Sequence, residues 1–305
     1  MKIILTGASG LLGSAFARAA SLRSHEVIGV VNEFKGPVAG LARQISLDLS
    51  DLSALEAFTL ETFPDAIVNC AAVSSPGQCD KDPGLSKRIN VDLPEKLALL
   101  SKHLFARYIH ISSDQVFDGK HPPYHISSPT SPTSLYGIQK VEAEKRVLEL
   151  AVEFASIVRI PLLSGNSPRG DRSLHEQLFR ALSENYRPPL FVDEFRQPCP
   201  TDNVASVLVE LCERNDFRGL LHWAGSQRLS RFQIGEQLLD HFGLPPSSIE
   251  QATLANNPAF SVWPPDLTLD MAPLEGQLKT RPKALKEHLD TLIIPMQYRE
   301  WYHSQ

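Results

Sequence analysis

Cysteine is scarce in this chain and never paired. The sequence holds four, Cys70, Cys79, Cys199 and Cys212, with no C-x-x-C spacing among them. That fits reduced thiols that pack better than a disulfide or zinc framework. Long apolar runs are missing too: nothing approaches the roughly eighteen uninterrupted apolar residues that a membrane-spanning helix needs. Positive charge is not in excess. The net charge is -5 and no basic stripe is interleaved with aromatics, so no nucleic-acid partner is expected. No internal repeat, low-complexity segment or metal-ligand set is visible. A strand-like run begins at Lys2 and a glycine turn follows at Gly7, which leaves no room for a secretory signal and predicts a soluble, cytoplasmic protein.

Against these absences stands a dense glycine turn. Gly7-Ala-Ser-Gly10-Leu-Leu-Gly13 lies between the apolar run Lys2-Ile-Ile-Leu-Thr6 and the helical run Leu12 to Ala20. In a dinucleotide site the first glycine makes the turn, the second lets backbone approach a pyrophosphate, and the third lets helix pack on strand. The helix N-terminus then offers N–H donors and partial positive charge. Gly7, Ser9, Gly10, Leu11, Leu12 and Gly13 are therefore candidate cofactor contacts. The spacing is G-x-x-G-x-x-G, the short-chain reductase form of the motif.

A second constellation lies downstream. Tyr136-Gly-Ile-Gln-Lys140 sits in a segment that reads as a helix, with Ser113-Asp114 before it. Tyrosine and lysine four apart share a helical face. A phenol with an ordinary pKa near 10 is a poor acid or base at neutral pH, but an adjacent ammonium and an oxidised nicotinamide favour its phenolate. Ser113 can donate to a substrate carbonyl. Together Ser113, Tyr136 and Lys140 suit proton transfer in carbonyl reduction or alcohol oxidation.

Strand-like runs at Lys2–Thr6, Val27–Val31, Ala66–Cys70, Tyr108–Ser112 and Ser156–Ile160 alternate with helical segments at Leu12–Ala20, Leu52–Phe63, Asp92–His103 and Ser134–Phe154. This alternation predicts an α/β fold, a doubly wound parallel sheet of the Rossmann type. After Pro161 the pattern loosens into a loop at Ser164 to Gly170, a helix at Leu174 to Asn185, a short strand opened by Pro188-Pro189, and prolines at Pro245-Pro246, Pro258 and Pro264-Pro265. The expected division is a dinucleotide-binding domain over 1–163 and a smaller, interleaved substrate lobe over 164–305.

With these residues in view, the chain resembles the extended short-chain dehydrogenase/reductases, within them the dTDP-4-dehydrorhamnose reductase group. The most specific stretches are Tyr108-Ile-His-Ile-Ser-Ser-Asp-Gln-Val-Phe-Asp-Gly119 and Leu135-Tyr-Gly-Ile-Gln-Lys-Val-Glu-Ala-Glu-Lys145. Asn69-Cys-Ala-Ala72, Ile89-Asn90-Val91 and Asp193-Glu-Phe-Arg-Gln-Pro198 are further matches. The resemblance implies NAD(P)H-dependent reduction of a 4-keto nucleotide sugar. Tyr136 would protonate the C4 alkoxide, Ser113 would orient the carbonyl, Lys140 would tune Tyr136 and hold the nicotinamide ribose, and Asn90 would support a relay water. It also implies cofactor contacts at Ala71, Ala72 and Pro161, and it leaves room for a homodimer.

Cofactor choice rests on the residues after the second strand, where Glu33 suits NAD, Lys35 suits NADP and Asn32 accommodates either. NADPH is placed slightly ahead of NADH. Asp48-Leu49 is a candidate adenine contact or, equally, Asp48 a helix cap. Related 4,6-dehydratases need Asp-Glu after the catalytic hydroxyl; here Ser113-Asp114 precedes Gln115, so reduction gains over dehydration. Gln115 also replaces the group's usual aromatic. Val262-Trp263-Pro264 stands where these reductases carry Arg-Pro, leaving Arg159, Arg169, Arg172 and Arg196 as candidate diphosphate partners. Two alternatives stay open: another nucleotide-sugar epimerase or ketoreductase, and a non-catalytic nucleotide-binding regulatory subunit like that of methionine adenosyltransferase.

Overall fold

A computed structural model describes residues 1–254, 263–272 and 274–304. Its centre is a seven-stranded sheet. The strands are β1 (Lys2–Thr6), β2 (Glu26–Val31), β3 (Arg43–Ser46), β4 (Ala66–Asn69), β5 (Arg107–Ser113), β6 (Ala155–Ile160) and β7 (Gly219–His222), all paired in parallel. Their spatial order is β7-β6-β5-β4-β1-β2-β3. Ile3, Ile4 and Leu5 are wholly buried, because helices cover both sheet faces and the strands must read as continuous apolar runs. Strand order reverses between β1 and β4, and open α/β sheets bind ligands in the crevice beyond the strand ends at such a point.

One face is covered by α1 (Leu11–Leu22) and α6 (Thr201–Glu213), joined through Phe16, Val204, Leu208 and Trp223 in a single core. The other carries α2 (Leu52–Thr62), α3 (Leu93–Leu104) and α4 (Leu135–Ala151), packed through Leu55, Leu97, Tyr108 and Val147. A separate core unites α5 (Leu174–Ser183) and α7 (Arg231–His241) through Phe179, Leu238 and Phe242.

The differences from the sequence reading have local causes. The sequence reading assigns neither β7 nor α6, although both belong to the central sheet and its cover. β7 has only four residues and begins at Gly219 with positive φ, so its period is too short to read. α4 stops at Ala151 because Phe154 N–H turns back to the Ala151 carbonyl. α3 is preceded by a widened π turn over Arg88–Asp92, a distortion often found at functional sites. Pro258 and Val262 lie outside the described residues.

Candidate active site

The glycine turn follows β1, and each glycine is needed for a different reason. Gly7 takes a left-handed backbone, φ +67°, and a Cβ there would come within 2.7 Å of the Ala71 nitrogen. A Cβ on Gly13 would meet the Gly7 carbonyl at 2.2 Å, so this glycine permits the close approach of α1 to the turn. Gly10 is the least crowded by the protein: its Cβ would lie 3.1 Å from the Gly7 carbonyl and nothing else. It is also the N-cap of α1, with no side-chain cap and no acid in the first turn. The first-turn N–H groups are left for an anion, and a glycine here opens the way to them.

Ala71 and Ala72 follow β4, and the Ala71 backbone lies against Gly7. Ala71 N–H donates to the Asn69 side chain (3.2 Å), which also accepts from Thr6 Oγ1 (2.7 Å) and reaches the buried His110 ring (3.2 Å). Beyond β2, Asn32, Glu33 and Lys35 are exposed. Asp48 folds onto Ser50 N–H (2.9 Å), which lowers its pKa. The cap of α2 is instead Asp51, which accepts from Ser53 and Ala54; the capping alternative for Asp48 is thereby corrected. Leu49 and Pro161 are buried.

β5 delivers Ser113 and α4 delivers Tyr136 and Lys140, all nearly buried at 7, 7 and 2% exposed. Lys140 Nζ donates to the Ile111 carbonyl (2.8 Å) and lies 5.8 Å from the Tyr136 ring centroid. Burial lowers its pKa to about 8, while Glu144, Cys70 and Cys79 pull upward. Burial likewise raises the Tyr136 phenol above its ordinary value, opposed by its interaction with the Ser113 side chain and helped by Asp114 and Cys79. The sequence reading has Lys140 and an oxidised nicotinamide together favouring the phenolate; from the protein's own groups the largest influence is burial, which acts in the opposite direction.

Ser113 Oγ donates to Asp114 Oδ1 (3.1 Å) and accepts from Gln115 N–H (3.2 Å). Asp114 is 4% exposed; burial raises its pKa to about 6 although Arg196 pulls it down. Asn90 sits in the π turn with its amide engaged: Oδ1 accepts from Val73 N–H (2.9 Å), and Nδ2 donates to Val73 O (3.0 Å) and Gln139 Oε1 (2.8 Å). Those bonds tie the Val73 loop to α4.

Of the four candidate arginines, Arg159 is excluded as a diphosphate partner. It is buried and donates twice to Glu144, at 2.8 and 2.6 Å. Arg196 is buried against Glu194 (2.9 Å). Arg172 is exposed, and Arg169 lies against Phe34, 5.7 Å from its ring centroid. Trp263 meets Phe191 edge to face. Sequence reasoning missed Asp114, Gln139 and Glu144. Glu144 had a signal, since Tyr136, Lys140 and Glu144 form an i, i+4, i+8 series on one helix face. Among the described residues no group of His, Cys, Asp and Glu is placed to hold a metal ion, and no helix is long and apolar enough to cross a membrane.

Comparison with known proteins bears on this geometry. The RmlD substrate binding domain model matches residues 1–298. The chain belongs to that family. It is 30% identical to methionine adenosyltransferase 2 subunit beta of Xenopus tropicalis, over 98% of this chain and 90% of that protein. A hypothetical dTDP-4-dehydrorhamnose reductase from Sulfolobus tokodaii is 28% identical with a TM-score of 0.81, covering 96% of this chain and 100% of its own. The dTDP-4-dehydrorhamnose reductase of Bacillus anthracis in complex with NADP is 21% identical and shares the fold, with a TM-score of 0.78 over 95% of this chain and 97% of its own.

Proposed function

We propose that the chain is an NAD(P)H-dependent reductase acting on the 4-keto group of a nucleotide sugar, in the manner of a dTDP-4-dehydrorhamnose reductase. The observation that carries this reading is the meeting, at the C-terminal ends of β1, β4 and β5, of an uncapped glycine turn with a buried Ser113, Tyr136 and Lys140. When bound, nicotinamide would provide the hydride that reduces the carbonyl carbon. Gly7, Ser9, Gly10, Leu11, Leu12 and Gly13 would hold its phosphates, Asn32, Lys35, Asp48 and Leu49 its adenosine end, and Ala71, Ala72 and Pro161 would line its path. Residues 164–305 would supply most of the sugar-nucleotide contacts.

The protein's own part is proton transfer and orientation. A phenol raised by burial is protonated at neutral pH, the state from which it can protonate a developing alkoxide. Ser113 would turn its hydroxyl from Asp114 to the carbonyl oxygen and fix it beside Tyr136. Lys140, anchored to Ile111, would hold a positive charge next to the phenolate left behind. Asn90 would act by bracing α4 through Gln139.

A second reading is favoured by one finding, the near full-length similarity to the adenosyltransferase subunit. Such a chain would bind nicotinamide nucleotide and a partner enzyme without turnover. Incubation with NADPH, NADH and dTDP-4-keto-6-deoxymannose separates the two readings. The reductase oxidises nicotinamide only when the sugar is present, and Gly10→Val loses both nucleotide affinity and oxidation. Nucleotide binding with no oxidation by any 4-keto nucleotide sugar would overturn the reductase and favour the subunit.

A further inference from the structure

The loop after the short strand Leu163–Ser164 is held in one shape by an unusual number of bonds. The Glu176 carboxylate accepts from Ser167 N–H (2.7 Å), Ser167 Oγ (2.8 Å), Arg172 N–H (2.7 Å) and Ser173 N–H (2.8 Å). Asn166 donates to the Thr291 carbonyl (2.8 Å) and accepts from Ile293 N–H (3.0 Å), while Gln297 donates to the Gly170 carbonyl (3.0 Å). Gly170 reverses the chain with φ +68°. Residues from three separate stretches therefore fix a turn whose exposed tip is Arg169.

That tip reaches the segment that follows β2. The loop starts beside α6, where a Cβ on Gly165 would strike Thr201, and α6 packs along α1. Arg169 then sets its guanidinium 5.7 Å from the centroid of Phe34, in the segment after β2. Ala8 N–H donates to Val30 O (3.2 Å), so the end of β2 adjoins the glycine turn. Among the described residues no carboxylate pairs with Arg169.

Charge gives the contact its meaning. Glu33 and Lys35, both exposed after β2, cancel and leave nothing to favour a dianion. Arg169 adds a cation beside Phe34, and its planar fork both bonds phosphate bidentately and stacks on aromatic faces. We propose that Arg169, delivered from the C-terminal part of the chain, reads an adenosine 2′-phosphate and makes the protein prefer NADP(H) over NAD(H). This rests on the dinucleotide reading above.

The test is titration of the full chain and its Arg169→Gln variant with NADPH, NADH, adenosine 2′,5′-bisphosphate and adenosine 5′-monophosphate. Arg169 is exposed, so the variant should fold normally. The loss of a charge-assisted contact should weaken NADPH and the bisphosphate by roughly tenfold or more, while NADH and the monophosphate stay within about twofold. Equal weakening of all four would place Arg169 on a group common to both cofactors and overturn the proposal, as would no change. Wild-type protein that binds NADH as tightly as NADPH would overturn this inference alone. Protein that binds neither would overturn the dinucleotide reading beneath it.

Discussion

Two ionic clusters, one built on Glu144 of α4 and one on Glu194, are completed to different degrees. In the first, Arg159 and Glu144 meet through two hydrogen bonds, with Ser112 donating to the same carboxylate and His222 within 3.4 Å of the guanidinium. His222 in turn bonds the Asp270 carbonyl (3.0 Å). In the second cluster, Arg196 and Arg231 both approach Glu194 Oε1, at 2.9 and 3.9 Å, while Glu194 Oε2 has no hydrogen-bond partner among the described residues and the Asp114 carboxyl is raised to about 6 by burial. A closed network of satisfied charges fixes a framework; a network with an open acceptor and a carboxyl near its titration point retains capacity for a ligand. The first stands one helical turn beyond Lys140 on α4, and the second includes Asp114, the neighbour of Ser113.

The contrast breaks most visibly at Glu144. Glu144→Gln leaves Arg159 buried with no charge partner, and removing one member of a buried pair costs about 3–5 kcal/mol. Chemical denaturation should show a loss of that size, and a loss under about 1 kcal/mol would mean that the pair is not the framework described. Asp114→Asn should act in the other direction and only at higher pH. The native carboxyl is raised from 3.8 to about 6, so the folded state binds the proton more tightly and the wild type loses stability as pH rises between those values. The variant escapes that loss. Relative to wild type it should gain about 2–3 kcal/mol on going from pH 4 to pH 7. A difference between the two proteins that does not change with pH would contradict the assignment.

The smallest effect concerns Lys140. With its pKa lowered to about 8, the ammonium is lost as pH rises through that value, and turnover should fall about tenfold per unit above it. A limb that begins only near 10 would show that burial does not govern this lysine.

The same contrast explains what was legible in the sequence. The glycine turn and Tyr136–Lys140 are local: their spacing and their strand or helix context lie within a few residues. β1, β2, β4, β5 and β6 read clearly because strands buried on both faces leave continuous apolar runs. β7 was invisible because its four residues gain their place only by pairing with β6. The Asp114–Arg196–Glu194–Arg231 cluster draws on three segments, with Glu194 80 and Arg231 117 residues beyond Asp114, and the Arg169–Phe34 contact spans 135 residues. Such juxtapositions have no local pattern. Arg159 looked available as a surface cation until α4 brought Glu144 over it.

The most direct test of the central claim is the Tyr136→Phe variant, with sugar-dependent NADPH oxidation and NADPH affinity measured on the same preparation. If Tyr136 is the proton donor, the rate should fall by roughly 10²–10⁴ while NADPH binding is nearly unchanged. Turnover at the wild-type rate by the phenylalanine variant would contradict the account.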